Sequence, residues 1–168
     1  PVVSFGSHHQ ARHADATFRG CAWAGADSAP FLVVGSVSRA ARNSWLCCYG
    51  GSEFERLVSC EALPYALTAV TSSQDGRLVG CGSAEGHVAV YSVTGGVLSW
   101  VMTTNPHTFF VSGVCFSPDA SHVLSCSGDR ALFKQLVVQQ PRRRFSKVML
   151  VFFSFLVLLF AILYARVQ

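Results

Sequence analysis

A chain that superimposes on itself after a shift of 44 residues is restricted to an architecture of stacked or ring-forming repeats. The segments from Leu67 to Tyr91 and from Val111 to Gln135 align without a gap. Val70 falls on Val114, Asp75 on Asp119, Val79 on Val123, Ser83 on Ser127, Glu85 on Asp129 and Val88 on Leu132. A looser third copy precedes them, as FRGCAWAG from Phe18, FLVVGSV from Phe31 and WLCCY from Trp45. Its middle carries an insertion at residues 38–43, expected as an exposed loop.

Within the second copy, strand-like runs occur at residues 67–72, 78–82, 88–92 and 97–101. Asp75-Gly76, Glu85-Gly86 and Thr94-Gly95-Gly96 separate them, and these residues tolerate the backbone conformations that hairpins need. In the last copy Pro118 is suited to the second position of a type I turn. No helical periodicity precedes Pro141. Four strands per repeat of about 40–45 residues make one blade of a β-propeller. The expected fold is therefore all-β. An interblade segment occupies residues 1–15 and about three blades occupy residues 16–140. Three blades do not close a ring, and the last copy has three strands. The chain also begins at Pro1 rather than Met, so closure is expected from an N-terminal portion that precedes it.

The second constraint is local. Residues 148–164 read VMLVFFSFLVLLFAILY, with Ser154 and Tyr164 the only polar positions. A helix of this length rises roughly 25 Å, the short end of what spans a bilayer. It suits a thin membrane such as that of the endoplasmic reticulum. A linker at residues 141–147 precedes it with Arg142, Arg143, Arg144 and Lys147, and Arg166 alone follows in the tail at residues 165–168. By the positive-inside rule the N-terminal side is cytosolic and the tail lumenal. Those four cations equal the whole formal charge of +4, so the rest of the chain is balanced and no general nucleic-acid surface is implied.

The seven cysteines form no CxxC pair and lie mostly in strand-like runs, which predicts reduced thiols in a core rather than zinc ligands or a disulfide framework. His8, His9 and His13 lie in a polar segment without an acidic or cysteine partner beside them, so no metal is expected. GxSxG, HExxH and P-loop motifs are absent.

The stretch from Gly82 to Tyr91, GSAEGHVAVY, resembles the strand-turn-strand that ends a WD repeat, with Tyr91 where tryptophan is usual and Gln135 in that place in the last blade. AsnProHis at residues 105–107 stands where such repeats carry GlyHis, and His107, Ser127 and Asp129 are candidates for the hydrogen-bonded network that pins a blade. PheArgGlyCysAlaTrp from Phe18, TrpLeuCysCysTyrGlyGlySerGluPhe from Trp45, GlyHisValAlaValTyr from Gly86 and HisThrPhePheValSerGlyValCysPheSerPro from His107 follow one another ahead of the basic linker and apolar run. In that order they are similar to the last blades of the endoplasmic-reticulum WD-repeat exchange factors for the Sar-type GTPase, the family of the prolactin regulatory element-binding protein. The resemblance implies guanine-nucleotide exchange that starts COPII coat assembly, by noncovalent distortion of the GTPase. It implies the Sar-type GTPase and the bilayer as partners, with no cofactor, no small-molecule substrate and no nucleic acid. The family's catalytic loop lies in the N-terminal part of the propeller, so no catalytic residue is assigned. The alternative is a tail-anchored scaffold without exchange activity.

Overall fold

The computed structural model describes residues 16–25, 30–38, 43–50 and 55–138. The interblade segment, the His8–His9–His13 group, the basic cluster Arg142, Arg143, Arg144 and Lys147, and the apolar run at 148–164 lie outside the described residues. Among the described residues no helix is long and apolar enough to cross a membrane.

Among the described residues, eleven strands form three antiparallel meanders. The first contains β1 (Ala16–Ala24), β2 (Phe31–Ser38), β3 (Ser44–Gly50) and β4 (Glu55–Leu63). The second contains β5 (Leu67–Ser72), β6 (Leu78–Ser83), β7 (Val88–Thr94) and β8 (Val97–Thr104). The third contains β9 (Val111–Phe116), β10 (His122–Ser127) and β11 (Leu132–Leu136). The strands anticipated in the second copy recur here, the first with the same bounds and the other three extended at their C-terminal ends by one to three residues. The first strands β1, β5 and β9 lie side by side, with β5 in the middle, as the innermost strands of successive propeller blades do. Thr68 ties two of them directly, its Oγ1 donating to the Val111 carbonyl at 2.6 Å.

Burial follows from this stacking. β6 is buried along its whole length, because the second sheet has a neighbour on both faces. One core joins sheets one and two through Val33, Leu46, Cys48, Leu63, Leu67, Val79 and Tyr91. Another joins sheets two and three through Leu78, Val88, Val90, Val111, Val123 and Val137. Each fully buried leucine, such as Leu46, Leu67 or Leu78, contributes about 1.5–3 kcal/mol by leaving water. In β10, by contrast, Val123, Ser125 and Ser127 are buried while Cys126 between them is exposed. That alternation marks a sheet covered on one side.

The repeat is visible in its turns. Ser73 Oγ donates to Asp75 Oδ1 at 2.6 Å and accepts from the Leu78 N–H at 3.0 Å. Ser117 Oγ repeats this with Asp119 Oδ1 at 2.6 Å and the His122 N–H at 2.9 Å. Pro118 occupies the second position of the turn that the Ala120 N–H closes onto the Ser117 carbonyl at 2.8 Å. The β6–β7 and β10–β11 turns differ in one respect. Gly86 has φ +84°, and its counterpart in the third sheet is Arg130, exposed and also left-handed at φ 66°. An L residue with a Cβ is disfavoured there, whereas glycine is not. Arg130→Gly is therefore expected to stabilise the fold by about 0.5–1 kcal/mol, read as a higher denaturant midpoint with an unchanged slope.

Candidate functional site

The turns divide into two ends. The β4–β5, β6–β7, β8–β9 and β10–β11 connections form an upper face, and the β1–β2, β5–β6 and β9–β10 connections form a lower one. Backbone bonds knit each set together. Ala84 N–H donates to the Ala66 carbonyl at 2.8 Å and Gly128 N–H to the Phe110 carbonyl at 3.3 Å above, and Gly25 N–H to the Gly76 carbonyl at 2.7 Å below.

The upper face is organised by a buried imidazole. His107 exposes none of its side chain, and its Nδ1 lies 3.2 Å from Asp129 Oδ2. Its Nε2 lies 2.8 Å from Ser125 Oγ, and Phe133 packs edge-on with ring centroids 6.4 Å apart. Both ring nitrogens therefore have a polar partner, the carboxylate at Nδ1 and the Ser125 hydroxyl at Nε2. Asp129 also accepts from the Ala131 N–H at 2.9 Å and the Thr108 N–H at 3.1 Å. The network anticipated from His107, Ser127 and Asp129 thus forms with one exchange. Ser125, not Ser127, meets the imidazole: the two share a face of β10, but Ser127 lies past the register shift at Cys126/Ser127, at the end of the strand. Ser127 instead donates to the Phe109 carbonyl at 3.2 Å and accepts from the Asp129 N–H at 3.3 Å. Gln135 stands where the second sheet has Tyr91, each opposite the equivalent valine of the neighbouring strand (Val123 and Val79), and Phe133 supplies the aromatic contact to the imidazole.

Three consecutive residues, Thr108, Phe109 and Phe110, are consequently tethered by their backbones to the Ser127–Asp129 turn. Their rings are not buried with them: Phe109 is 60% exposed and Phe110 48%. Beside them, Gly86 packs against the His107 and Phe109 carbonyls, and Tyr65 stacks on His87 at 4.4 Å. The result is a cluster of aromatic rings on the upper turns, half-buried at Tyr65 and His87 and open at Phe109 and Phe110, whose backbones are held by hydrogen bonds. Fixed, solvent-exposed aromatics are what protein-binding surfaces use as anchors. On the lower face a cleft of about 630 Å³ is lined by Trp23, Pro30, Gln74, Asp75 and Arg77. The Asp75–Arg77 ion pair there is long at 3.9 Å and solvent-exposed, so it adds little.

The buried thiols are held in their protonated form. Burial, foremost, pushes the thiols of Cys48 and Cys60 up to about 11 and that of Cys81 to about 12, which keeps them protonated and unreactive at neutral pH. Cys21, Cys115 and Cys126 are exposed, unlike the core thiols expected for the set. Among the described residues no group of three or more His, Cys, Asp or Glu side chains is placed to hold a metal ion.

Two carboxylates carry a pH dependence. The Ala131 N–H, foremost, holds Asp129 below the ordinary carboxylate range, and the Ser117 hydroxyl, foremost, does so for Asp119. A depressed folded pKa means that the unfolded chain takes up its proton first on acidification. Stability is therefore present above about pH 4 and is lost as pH falls through that region toward the folded values. Thermal melts between pH 7 and pH 3 are expected to show this loss in the wild type and a flatter profile in Asp119→Asn with Asp129→Asn. Parallel profiles would remove the two carboxylates as its source.

With this geometry in place, comparison with known proteins becomes informative. Residues 98–133 match the family WD domain, G-beta repeat. The match begins in β8 and runs through β9 and β10 into β11, so the WD repeat takes its first strand from one sheet and its remaining strands from the next. The 66 kDa stress protein of Physarum polycephalum is 32% identical over 79 residues, which cover 47% of this chain and 13% of that protein. Two solved structures share the fold. The COPII outer coat vertex on membranes aligns with a TM-score of 0.59 at 19% identity, over 73% of this chain and 33% of that one. A chain of the COPII coat assembled on membranes aligns with the same TM-score and identity, over 73% of this chain and 18% of its own length. The chain therefore carries a WD repeat and part of a β-propeller, and it spans a minor share of each protein it resembles.

Proposed function

We propose that this chain belongs to a WD-repeat propeller tethered to the endoplasmic-reticulum membrane, which acts as a guanine-nucleotide exchange factor for a Sar-type GTPase in COPII coat assembly. The observation that carries this reading is the order of parts: WD-like blades, then Arg142, Arg143, Arg144 and Lys147, then seventeen apolar residues that end at Tyr164. A propeller fold shared with chains of the COPII coat supports it. Exchange needs no covalent chemistry. The factor binds the nucleotide-free GTPase more tightly than the loaded one, and that difference alone speeds release. In this arrangement the blades face the cytosol, the cationic residues contact lipid headgroups, and residues 148–164 cross the bilayer.

The test follows release of fluorescent GDP from a Sar-type GTPase on liposomes, with excess GTP present. The longer protein that carries these blades and their N-terminal partners is expected to accelerate release at least ten-fold. The 168-residue chain alone is expected to leave the rate unchanged, since the resemblance implies that the family's catalytic loop belongs to blades other than these. A folded longer protein with no acceleration would sink the exchange reading. A second reading, a binding platform without exchange activity, is favoured by the exposed and rigidly held Phe109 and Phe110. Phe109→Ser with Phe110→Ser would then abolish recruitment of partners to liposomes while GDP release stayed at its spontaneous rate throughout.

A further inference from the structure

The offset of 44 residues lays the β4–β5 connection on the β8–β9 connection, and the β6–β7 turn on the β10–β11 turn. Tyr65 then falls on Phe109, Ala66 on Phe110, Ala84 on Gly128 and His87 on Ala131. The same backbone bond joins each pair of loops, Ala84 N–H to the Ala66 carbonyl at 2.8 Å and Gly128 N–H to the Phe110 carbonyl at 3.3 Å. Tyr65 and Phe109 are therefore equivalent positions on equivalent scaffolds. Their surroundings differ. Tyr65 is half-buried against the His87 ring, with centroids 4.4 Å apart and planes 22° from parallel. The counterpart of His87 is Ala131, exposed and without a ring. Among the described residues no ring stacks on Phe109, which is left 60% exposed. Beside it Phe110 lies over Gly128, where an added Cβ would meet the ring at 3.0 Å. Gly128 is not left-handed and its counterpart is an alanine, so glycine here serves the ring and not the turn.

We propose that Phe109 is one half of an unfinished stack, and that the upper face takes an aromatic side chain of a partner polypeptide in the place that His87 fills on Tyr65. The preceding repeat supplies the template, a flat ring laid on the ring beneath it. Phe110, seated on Gly128, widens the apolar surface on which the incoming ring settles. Charge narrows the chemistry further. Glu85 flanks the pair through Gly86, which packs on the Phe109 carbonyl, and Arg130 flanks it through the β10–β11 turn; both are exposed. Asp129, next to Arg130, is engaged by the Thr108 and Ala131 N–H groups and by His107. Opposite charges on the two sides favour neither a cation nor an anion, so a neutral ring fits better than a guanidinium or a carboxylate. The assignment rests on the reading of the upper face as a binding platform and names what that platform holds.

The probe is N-acetyltryptophanamide, titrated into the full chain in lipid nanodiscs with para-fluorophenylalanine at position 109 as a fluorine NMR reporter. N-acetylleucinamide and N-acetylargininamide serve as comparisons, the first for apolar contact without a ring and the second for a planar cation. The indole is expected to give a saturable ring-current shift at position 109, and each comparison is expected to bind roughly five-fold more weakly. Ala131→His supplies in cis the ring that the second sheet already has. It is expected to shift the resonance at position 109 without any ligand, and to abolish the response to the indole at an unchanged melting temperature. Phe110→Ser, a surface change, provides a second arm and is expected to weaken the indole roughly five-fold. A leucine derivative that binds as well as the indole, an arginine derivative that binds better, or a full response in folded Ala131→His would overturn the proposal. So would the absence of any response up to the solubility limit of the probe. Failure of the platform reading is seen separately, as recruitment to liposomes that survives Phe109→Ser with Phe110→Ser.

Discussion

Gly86→Ala is expected to lower stability by about 3–4 kcal/mol, enough to drop the melting temperature by roughly 10 °C or more in a domain of this size. Two effects add. At φ +84° any Cβ is disfavoured, by about 1 kcal/mol. The larger effect is steric, because an ideal Cβ at Gly86 would lie 2.0 Å from the His107 carbonyl oxygen and 3.1 Å from that of Phe109. Neither obstacle is the end of a flexible side chain. Both belong to the backbone that the Asp129 turn holds in place, so relief requires the β8–β9 connection to move and the aromatic cluster with it. Gly95→Ala provides the control. Gly95 is also left-handed, at φ +57°, but nothing stands within 4 Å of its Cβ position, so about 1 kcal/mol is expected. Equal losses in the two variants, measured by denaturant titration, would remove the steric argument and leave only the backbone one.

Removal of the buried imidazole is the second large effect. His107→Ala leaves a cavity and takes the partner of Ser125 Oγ, and the expected loss is about 2–4 kcal/mol. The second sheet predicts how to restore it. At the same offset of 44 residues, Leu63, Cys81 and Ala89 stand where the third sheet has His107, Ser125 and Phe133, and all three are buried. One repeat solves this packing problem with hydrogen bonds and the other with apolar contacts. His107→Leu combined with Ser125→Cys removes both polar partners together, and is expected to recover at least half of the stability lost by His107→Ala. Asp129 keeps its backbone donors Thr108 and Ala131 in that variant. A double variant no better than His107→Ala would show that the imidazole acts through its specific bonds and not through volume.

The same substitution pattern explains what could be read before the structure was known. Strand positions followed from the repeat, because turn residues such as Asp75 and Asp119 recur at fixed distance and carry the same hydrogen bonds. The pinning network was legible at His107 and Asp129 but not at Ser125 or Phe133. Laying one copy on the other sets Ser125 against Cys81 and Phe133 against Ala89, which reads as ordinary core variation. The spacing of four residues from Ser125 to Asp129, and four more to Phe133, was the signal available in the third copy alone. Phe109 and Phe110 carried none, since two adjacent phenylalanines ahead of a strand look like interior residues until their backbones are seen to be tied and their rings left out. Arg142, Arg143, Arg144 and Lys147 rest on charge and position alone.

The offset between repeat and sheet also bears on how such a chain is made. Residues 98–133 begin in β8, which closes the second sheet, before they start the third. During synthesis the second sheet therefore waits, one strand short, until the opening residues of the next repeat have left the ribosome. Each finished sheet is in turn committed to a chain that has already begun its successor. A translational stop or an exon boundary placed between Thr94 and Val97 would leave the second sheet with an open edge on β7, whereas one placed after Thr104 would release a completed unit.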